Sequence, residues 1–312
     1  VKPRYGLKIG TDGSLDVDFA QMPTEKIEEL IKTIRVPIWL TKDLTVYVAT
    51  TGSDTLDEKR GLSPDRPFAT LQAATRFVAD TYNVSAYRVT IQVAAGDYRS
   101  QNRSLVLPSY TASTGTIAIV GAGRDDVLLD NIVNRYSAHY IIRDVTIAGI
   151  VSETSYAHNL QLESGEVELF NVALNTSRFS GCTSFSHIYS NGGVCKIPAT
   201  SESYPTGIHL YPQEAQPYLL RVDAGVINVS ADISVETPCT VSDATVYAKS
   251  LGLFDMFTSG FPNPGRAPRF TGTVSGKRYY IVTNGIIDVH GAGPEFIPGT
   301  IPGAQSTGGQ YI

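Results

Sequence analysis

From about residue 83 onward the chain repeats one phrase: a short alternating run of aliphatic or β-branched residues, a turn of Gly, Asn, Asp or Ser, then another such run. "VELFNVALN", "VINVSADISVE" and "IIRDVTIAG" are examples. The runs are three to six residues long, and neither helices nor two-residue Asn-Gly hairpins join them. A chain written this way must bury many short strands without helices to cover them. A sandwich or barrel does so, and so does a solenoid. The close recurrence of run, turn and run favours the solenoid, in which inward side chains stack on those of the next rung and Gly, Asn and Ser occupy corners. The expected fold is all-β, a right-handed parallel β-helix.

An open β-helix end exposes its core and a row of unpaired strand groups, so it needs a cap. The stretch "TVYVATTGSDTLDEKRGLSPDRPFATLQAATRFV", residues 45 to 78, offers one. Thr70 is a suitable N-cap, and Leu71, Ala74, Phe77 and Val78 form one apolar stripe over a helix at about 70–82. The acidic groups of "SDTLDEK" (Asp54, Asp57, Glu58) lack the alternation and mid-loop Gly of a calcium loop and read as a solvated turn. Upstream, "TDGS" between alternating residues predicts a small hairpin. Residues 24 to 36 predict a helix with Thr24 as N-cap and Ile27, Leu30, Ile31 and Ile34 on one face, ended by Pro37.

Composition narrows the classes. The 312 residues carry a net charge of only −5, which gives no ground for a nucleic-acid or anionic-membrane partner. No apolar run approaches the roughly 18 residues of a membrane helix, and the start carries no signal-peptide pattern. The first residue is Val1, not Met, so the chain is expected to be part of a longer one. Three cysteines (Cys182, Cys195, Cys239) are too few for a disulfide framework and read as reduced thiols, with a Cys182–Cys195 bridge as the alternative. The five histidines have no metal-site spacing and read as packed or surface residues, so neither a metal nor a cofactor is expected.

The 45–78 stretch resembles the entry sequence of pectate-lyase-like β-helix proteins, through Tyr47-Val48, Gly52-Ser53-Asp54, Pro67-Phe68, Thr70-Leu71-Gln72 and Ala74. That motif marks fold rather than activity. The two ends are similar to phage and prophage tail fibre or tailspike proteins. At the C-terminus this rests on Asn284-Gly285, Gly291-Ala292-Gly293, Phe296 to Gly299 and Gly308 to Tyr311. The segment from about 130 to 260 is the least family-like. The resemblance implies a virion tail component, assembled in the host cytoplasm as a homotrimer. It would recognise a bacterial cell-surface glycan and join other tail or baseplate proteins through its N-terminal side. The implied organisation is a connecting region (1–44), the β-helix (45–256), a linker (257–274) and an interwoven trimeric tip (275–312).

Glycan recognition needs aromatic rings beside hydrogen-bonding groups. The irregular segment from 179 to 218 supplies Phe185, Tyr189, Tyr204, His209, Tyr211 and Tyr218 as candidates. The enzymatic alternative, a polysaccharide hydrolase or lyase, needs paired carboxylates or a basic proton abstractor. Glu166 and Glu168 are the best-spaced pair, on one strand face roughly 6–7 Å apart. Lys196 and Arg221 are available basic residues, but each lies singly in the sequence. A third reading is a purely structural tail component.

Overall fold

The computed structural model describes residues 7–9, 15–17, 25, 37–57, 59–99, 104–149, 151–152, 156–176, 179–180, 184–199, 207–256 and 268–312. It is an all-β protein with one large sheet of mostly parallel strands stacked in solenoid fashion. Strand pairings fall into three parallel ladders, visited in turn as the chain advances. The first joins Leu44–Val48, Arg88–Val93, Thr116–Gly121, the start of His139–Ile147, the start of Glu166–Asn175, Val194–Ile197, Val226–Val229, Leu253–Met256, Ile286–Asp288 and Gln310–Tyr311. The second runs through Val127–Leu129, the ends of those two long strands, Ile208–Tyr211 and Ile233–Val235. The third runs through Ser104–Leu107, Asn131–Asn134, Tyr156–Leu162, Ser184–Ser190, Ala215–Asp223, the end of Ile233–Lys249 and Tyr279–Ile281.

One inward position of the first ladder holds register from end to end: Leu44, Val89, Ile117, Tyr140, Val167, Cys195, Ile227, Phe254, Ile287 and Tyr311. The eight between the two end residues are buried, and both ends pack on the core. At about 4.8 Å per strand this column is about 43 Å long. Each fully buried side chain of this kind stabilises by about 1.5–3 kcal/mol. Cys195 and Cys239 are buried free thiols; Cys182 lies outside the described residues.

The rungs close at a recurring corner. The residue before each corner glycine has a left-handed backbone: Gly192 (φ 98°), Ala224 (54°), Leu251 (68°), Asn284 (60°) and Gly308 (81°). The glycine that follows lies against the previous rung. A Cβ on Gly252 would sit 2.6 Å from the Val222 carbonyl oxygen, and one on Gly285 2.6 Å from that of Ala248. No side chain fits there without parting the rungs.

The cap is a helix, α1, over Leu71–Thr81. Thr70 is its N-cap and accepts from the Ala73 amide at 3.2 Å, and Leu71, Ala74, Thr75 and Val78 are buried. The acidic loop before it is exposed at Asp54, Thr55 and Leu56, as expected of a solvated turn, and is also tied to the helix start. Asp54 Oδ1 accepts from the amides of Ala69 (2.8 Å) and Thr70 (3.0 Å), and Oδ2 accepts from the Thr70 hydroxyl (2.7 Å). Asp57 pairs with Arg60 and Arg66. The loop is therefore a clamp on the helix N-terminus. Its carboxylate faces amide donors that the helix cannot satisfy itself.

The hairpin expected at the N-terminus is present, Leu7–Ile9 antiparallel to Leu15–Val17. The helix expected at 24–36 falls outside the described residues apart from Glu25. The C-terminal strands join the ladders already described, and residues 257–267 of the expected linker lie outside the described residues. Phe270–Ser275 pairs with the Ile233–Lys249 strand, and Tyr279–Ile281, Ile286–Asp288, Ala304–Gln305 and Gln310–Tyr311 extend the existing ladders. Asn284-Gly285 is one more rung corner.

Two substitutions test this account. Gly252→Ala is expected to lower stability by about 2 kcal/mol or more, because overpacking against backbone has no flexible neighbour to relieve it. Asp54→Ala is expected to cost about 0.5–2 kcal/mol by releasing the N-cap residue Thr70. Denaturant titration of both variants measures these losses.

Candidate functional site

The outer side of the third ladder carries a column of polar and aromatic groups at one register position. Gln161, Tyr189, Arg221, Tyr247 and Tyr280 pair in succession on five neighbouring rungs. Strand alternation turns them all outward, since each is flanked by buried residues such as Ile188, Leu220, Val246 and Tyr279. Tyr218 joins from the neighbouring outward position, its ring centroid 5.0 Å from that of Tyr247, which is 5.7 Å from Tyr280. The Arg221 guanidinium lies over Tyr189 (4.9 Å), Tyr218 (5.5 Å) and Tyr247 (5.8 Å). Lys277 lies 4.4 Å from the Tyr280 ring centre.

Asp223 organises this surface. Its Oδ2 accepts from Arg221 Nη2 (2.7 Å), Arg221 Nε (3.1 Å) and the Tyr189 hydroxyl (3.2 Å), and Lys249 Nζ is also 3.2 Å away. Arg221 Nη1 donates to Ser184. A carboxylate buried to this degree is tolerated only when cations and donors surround it. Burial, with Asp223 alongside, pushes the Tyr189 hydroxyl up to about 12. Burial and the hydrogen bond to Asp243 push Tyr218 upward too. The phenols therefore remain protonated donors at neutral pH. Because the rings lean on one another and on Arg221, the column presents ring edges and hydroxyls more than open ring faces.

The candidates drawn from residues 179 to 218 separate into three places. Tyr189 and Tyr218 meet on the column. His209 and Tyr211 lie on the second ladder. There His209 Nδ1 contacts Glu236 Oε1 at 2.6 Å and the Ser234 hydroxyl at 3.0 Å. Both partners use the same ring nitrogen, so this is not the two-nitrogen relay of a serine nucleophile and its base. Phe185 is only 3% exposed. It packs edge-on against Phe179 at 5.8 Å, in a small buried cluster with Ala157 apart from the main core, and offers no ring to a ligand. Tyr204 lies outside the described residues. Sequence reasoning missed Asp223, Tyr247 and Tyr280 as column members and took Arg221 for a lone cation. The available signal was spacing: Tyr189, Arg221, Tyr247 and Tyr280 each precede a corner glycine by four or five residues.

Glu166 and Glu168 do share one outward face, but both are engaged by cations. His139 Nε2 is 3.3 Å from Glu166 Oε1 and 3.2 Å from Glu168 Oε1, and Lys196 Nζ is 2.8 Å from Glu166 Oε1. The hydrogen bond to Glu168 raises the His139 pKa, and the same bond lowers that of Glu168. A glycosidase pair needs one carboxyl held protonated, which is a raised pKa. Glu168 is shifted the opposite way. His139, Glu166 and Glu168 also form a three-ligand group of the kind that can hold a metal ion, as do Asp255, Asp288 and His290. Spacing along the sequence pairs Glu166 with Glu168 but does not show His139, which lies one rung away, nor does it bring Asp255 to Asp288 and His290.

Inside the third ladder runs a buried polar seam. His187 Nδ1 donates to Asn159 Oδ1 (3.0 Å), and Asn159 Nδ2 donates to Asn131 Oδ1 (3.3 Å). His158 Nδ1 accepts the Ser186 amide at 3.1 Å, and its ring lies 4.5 Å from Tyr189 directly beneath the column. Burial pushes both histidines down to about 3, aided at His158 by Arg221.

No protein-family model, curated protein or solved structure matches this chain. None of the described helices is long and apolar enough to cross a membrane.

Two pH effects follow. His158 and His187 are neutral when folded and titrate near 6.5 when unfolded, so the unfolded chain binds more protons between pH 6.5 and 3. Stability is expected to fall as pH drops below 6.5, by about 2 kcal/mol per histidine at pH 5. Denaturation midpoints across this range, with His187→Asn as comparison, measure it. The His139–Glu168 pair behaves differently. The contribution of His139 is complete below its unfolded pKa of 6.5 and is lost as pH rises through the higher folded value. That of Glu168 is complete above 4.5 and is lost as pH falls through its lower folded value. NMR titration should show the His139 pKa dropping in Glu168→Gln.

Proposed function

We propose that this protein is a non-catalytic glycan-recognition module of the phage or prophage tail-fibre type, built on a right-handed parallel β-helix and acting as a homotrimer. The observation that carries the reading is the Tyr189–Arg221–Tyr247–Tyr280 column with Tyr218 and Asp223. It offers the Tyr247 and Tyr280 hydroxyls, the acceptor lone pairs of the Tyr189 and Tyr218 oxygens, the Arg221 and Lys277 cations and half-buried rings along one outer face, on a rigid ladder. Saccharides are recognised by such sets, in which hydrogen bonds give specificity and ring contacts add affinity. Pre-organisation by Asp223 and by ring packing lowers the ordering cost of binding. The bacterial surface polysaccharide is the proposed ligand, the virion tail the proposed location, and other tail proteins the proposed neighbours on the N-terminal side. The resemblance of the 45–78 stretch and of the chain ends supports these three assignments.

The depolymerase reading is weaker because Glu166 and Glu168 are ion-paired and Glu168 is shifted away from a general acid. A purely structural role leaves the outer column without a ligand.

Retention on immobilised capsule and lipopolysaccharide, with release of fragments followed in parallel, separates the readings. Binding without fragments is expected. Tyr247→Ala or Arg221→Ala should weaken it by about tenfold or more, roughly 1.4 kcal/mol. Glu166→Gln and Glu168→Gln should leave it unchanged. Release of reducing ends or unsaturated sugars, or absence of binding to any polysaccharide, overturns the proposal. Sedimentation at about three times the 33.6 kDa chain mass is expected for the trimer, and a compact monomer refutes it.

A further inference from the structure

The chain contains two Asn-Gly pairs, Asn191-Gly192 and Asn284-Gly285. Asn-Gly is the dipeptide most open to intramolecular attack, because glycine puts no Cβ in the way of its own amide nitrogen. The fold places the two pairs one residue out of step. At 284–285 the asparagine takes the left-handed position (φ 60°) and the glycine is the corner glycine itself. Gly285 is buried, its amide donates to the Val282 carbonyl at 3.0 Å, and its Cα lies against the Ala248 carbonyl. At 191–192 the corner glycine is Gly193, and Gly192 takes the left-handed position (φ 98°). Asn191 and Gly192 are both exposed.

We infer that Asn191 is a site of spontaneous deamidation in the folded protein and that Asn284 is protected by the corner. The Gly192 nitrogen gives up its proton to solvent and attacks Asn191 Cγ. The Cγ–Nδ2 bond breaks, Nδ2 takes up a proton and leaves as ammonia, and a five-membered succinimide forms. Water then opens either of its carbonyls, giving aspartate or a β-linked isoaspartate. No oxidation state changes, and water is the only co-reactant. At Asn284 the same attack would require the Gly285 amide to leave Val282 and the corner to part from the preceding rung. Local opening of that kind is rare in a packed ladder.

The product changes the outer face. Ser190 pairs with Val222 at the last register position before the corner, and Asn191 and Asp223 are the residues that follow them on the two rungs. Deamidation puts a new negative charge one rung from the carboxylate that orders Arg221 and Tyr189. The β-linked product also lengthens the chain at a corner where a Gly192 Cβ would already lie 2.9 Å from the Glu163 carbonyl oxygen.

The test is peptide mapping by mass spectrometry during incubation of the folded protein at mildly alkaline pH, with a urea-unfolded sample alongside. In the folded protein Asn191 should convert to the two acidic products, with Asn284 at least about tenfold slower. Unfolded, the two sites should convert at similar rates. Asn191→Ser should abolish conversion at 191 without altering 284. Equal rates at both sites in the folded protein overturn the inference. So does an Asn191 that stays amidated when folded while converting when unfolded.

Discussion

The structure depends on one column of inward side chains that keeps register from Leu44 to Tyr311. Side chains alternate in a strand, so a slip of one residue at any rung would turn that rung's apolar set to solvent and its polar set inward. Each rung is thereby fixed by the two it touches. Large residues enter the column singly among aliphatic ones, Tyr140 between Ile117 and Val167 and Phe254 between Ile227 and Ile287. The interior thus fills without a layer of like-sized side chains, as close packing requires.

The same register builds the outer face. Once the inward column is fixed, the residue next to each of its members faces out at a set place, and chemistry accumulates there as columns rather than as local motifs. Tyr189, Arg221 and Tyr247 are about 30 residues apart in the chain and neighbours in space. The His139–Glu166–Glu168–Lys196 group arises in the same way. The buried Asn131–Asn159–His187 seam adds specificity, since any other alignment of those three rungs would orphan buried polar groups.

Much of the architecture was legible in the sequence. The alternating runs, the Thr70 cap, the Leu71–Ala74–Val78 stripe and the N-terminal hairpin are local patterns, and local patterns survive without knowledge of partners. The parallel ladders were expected from turn punctuation. The candidate site was legible only in part. Tyr189 and Tyr218 of the aromatic-rich segment lie on the outer column, whereas Phe185 is buried with Ala157 and Phe179, partners that composition does not reveal. The exposed Asp54 is also tied to Ala69 and Thr70, which the sequence does not show because they lie 15 and 16 residues away. Residues 275 to 312 are expected from the resemblance to form an interwoven trimeric tip. They pair with earlier rungs of the same chain, a source of stability that low charge and high Gly and Pro content do not show.

The corner glycines carry a consequence for how such a molecule can change over generations. At Gly225, Gly252, Gly285 and Gly309 the neighbouring backbone leaves no room for any side chain, so inheritance has almost one letter to choose from. Four or five residues earlier on the same rungs, the outward positions touch little that the core needs. A lineage can therefore rewrite what the rod displays, residue by residue, while a fixed line of glycines keeps every new surface in the same frame.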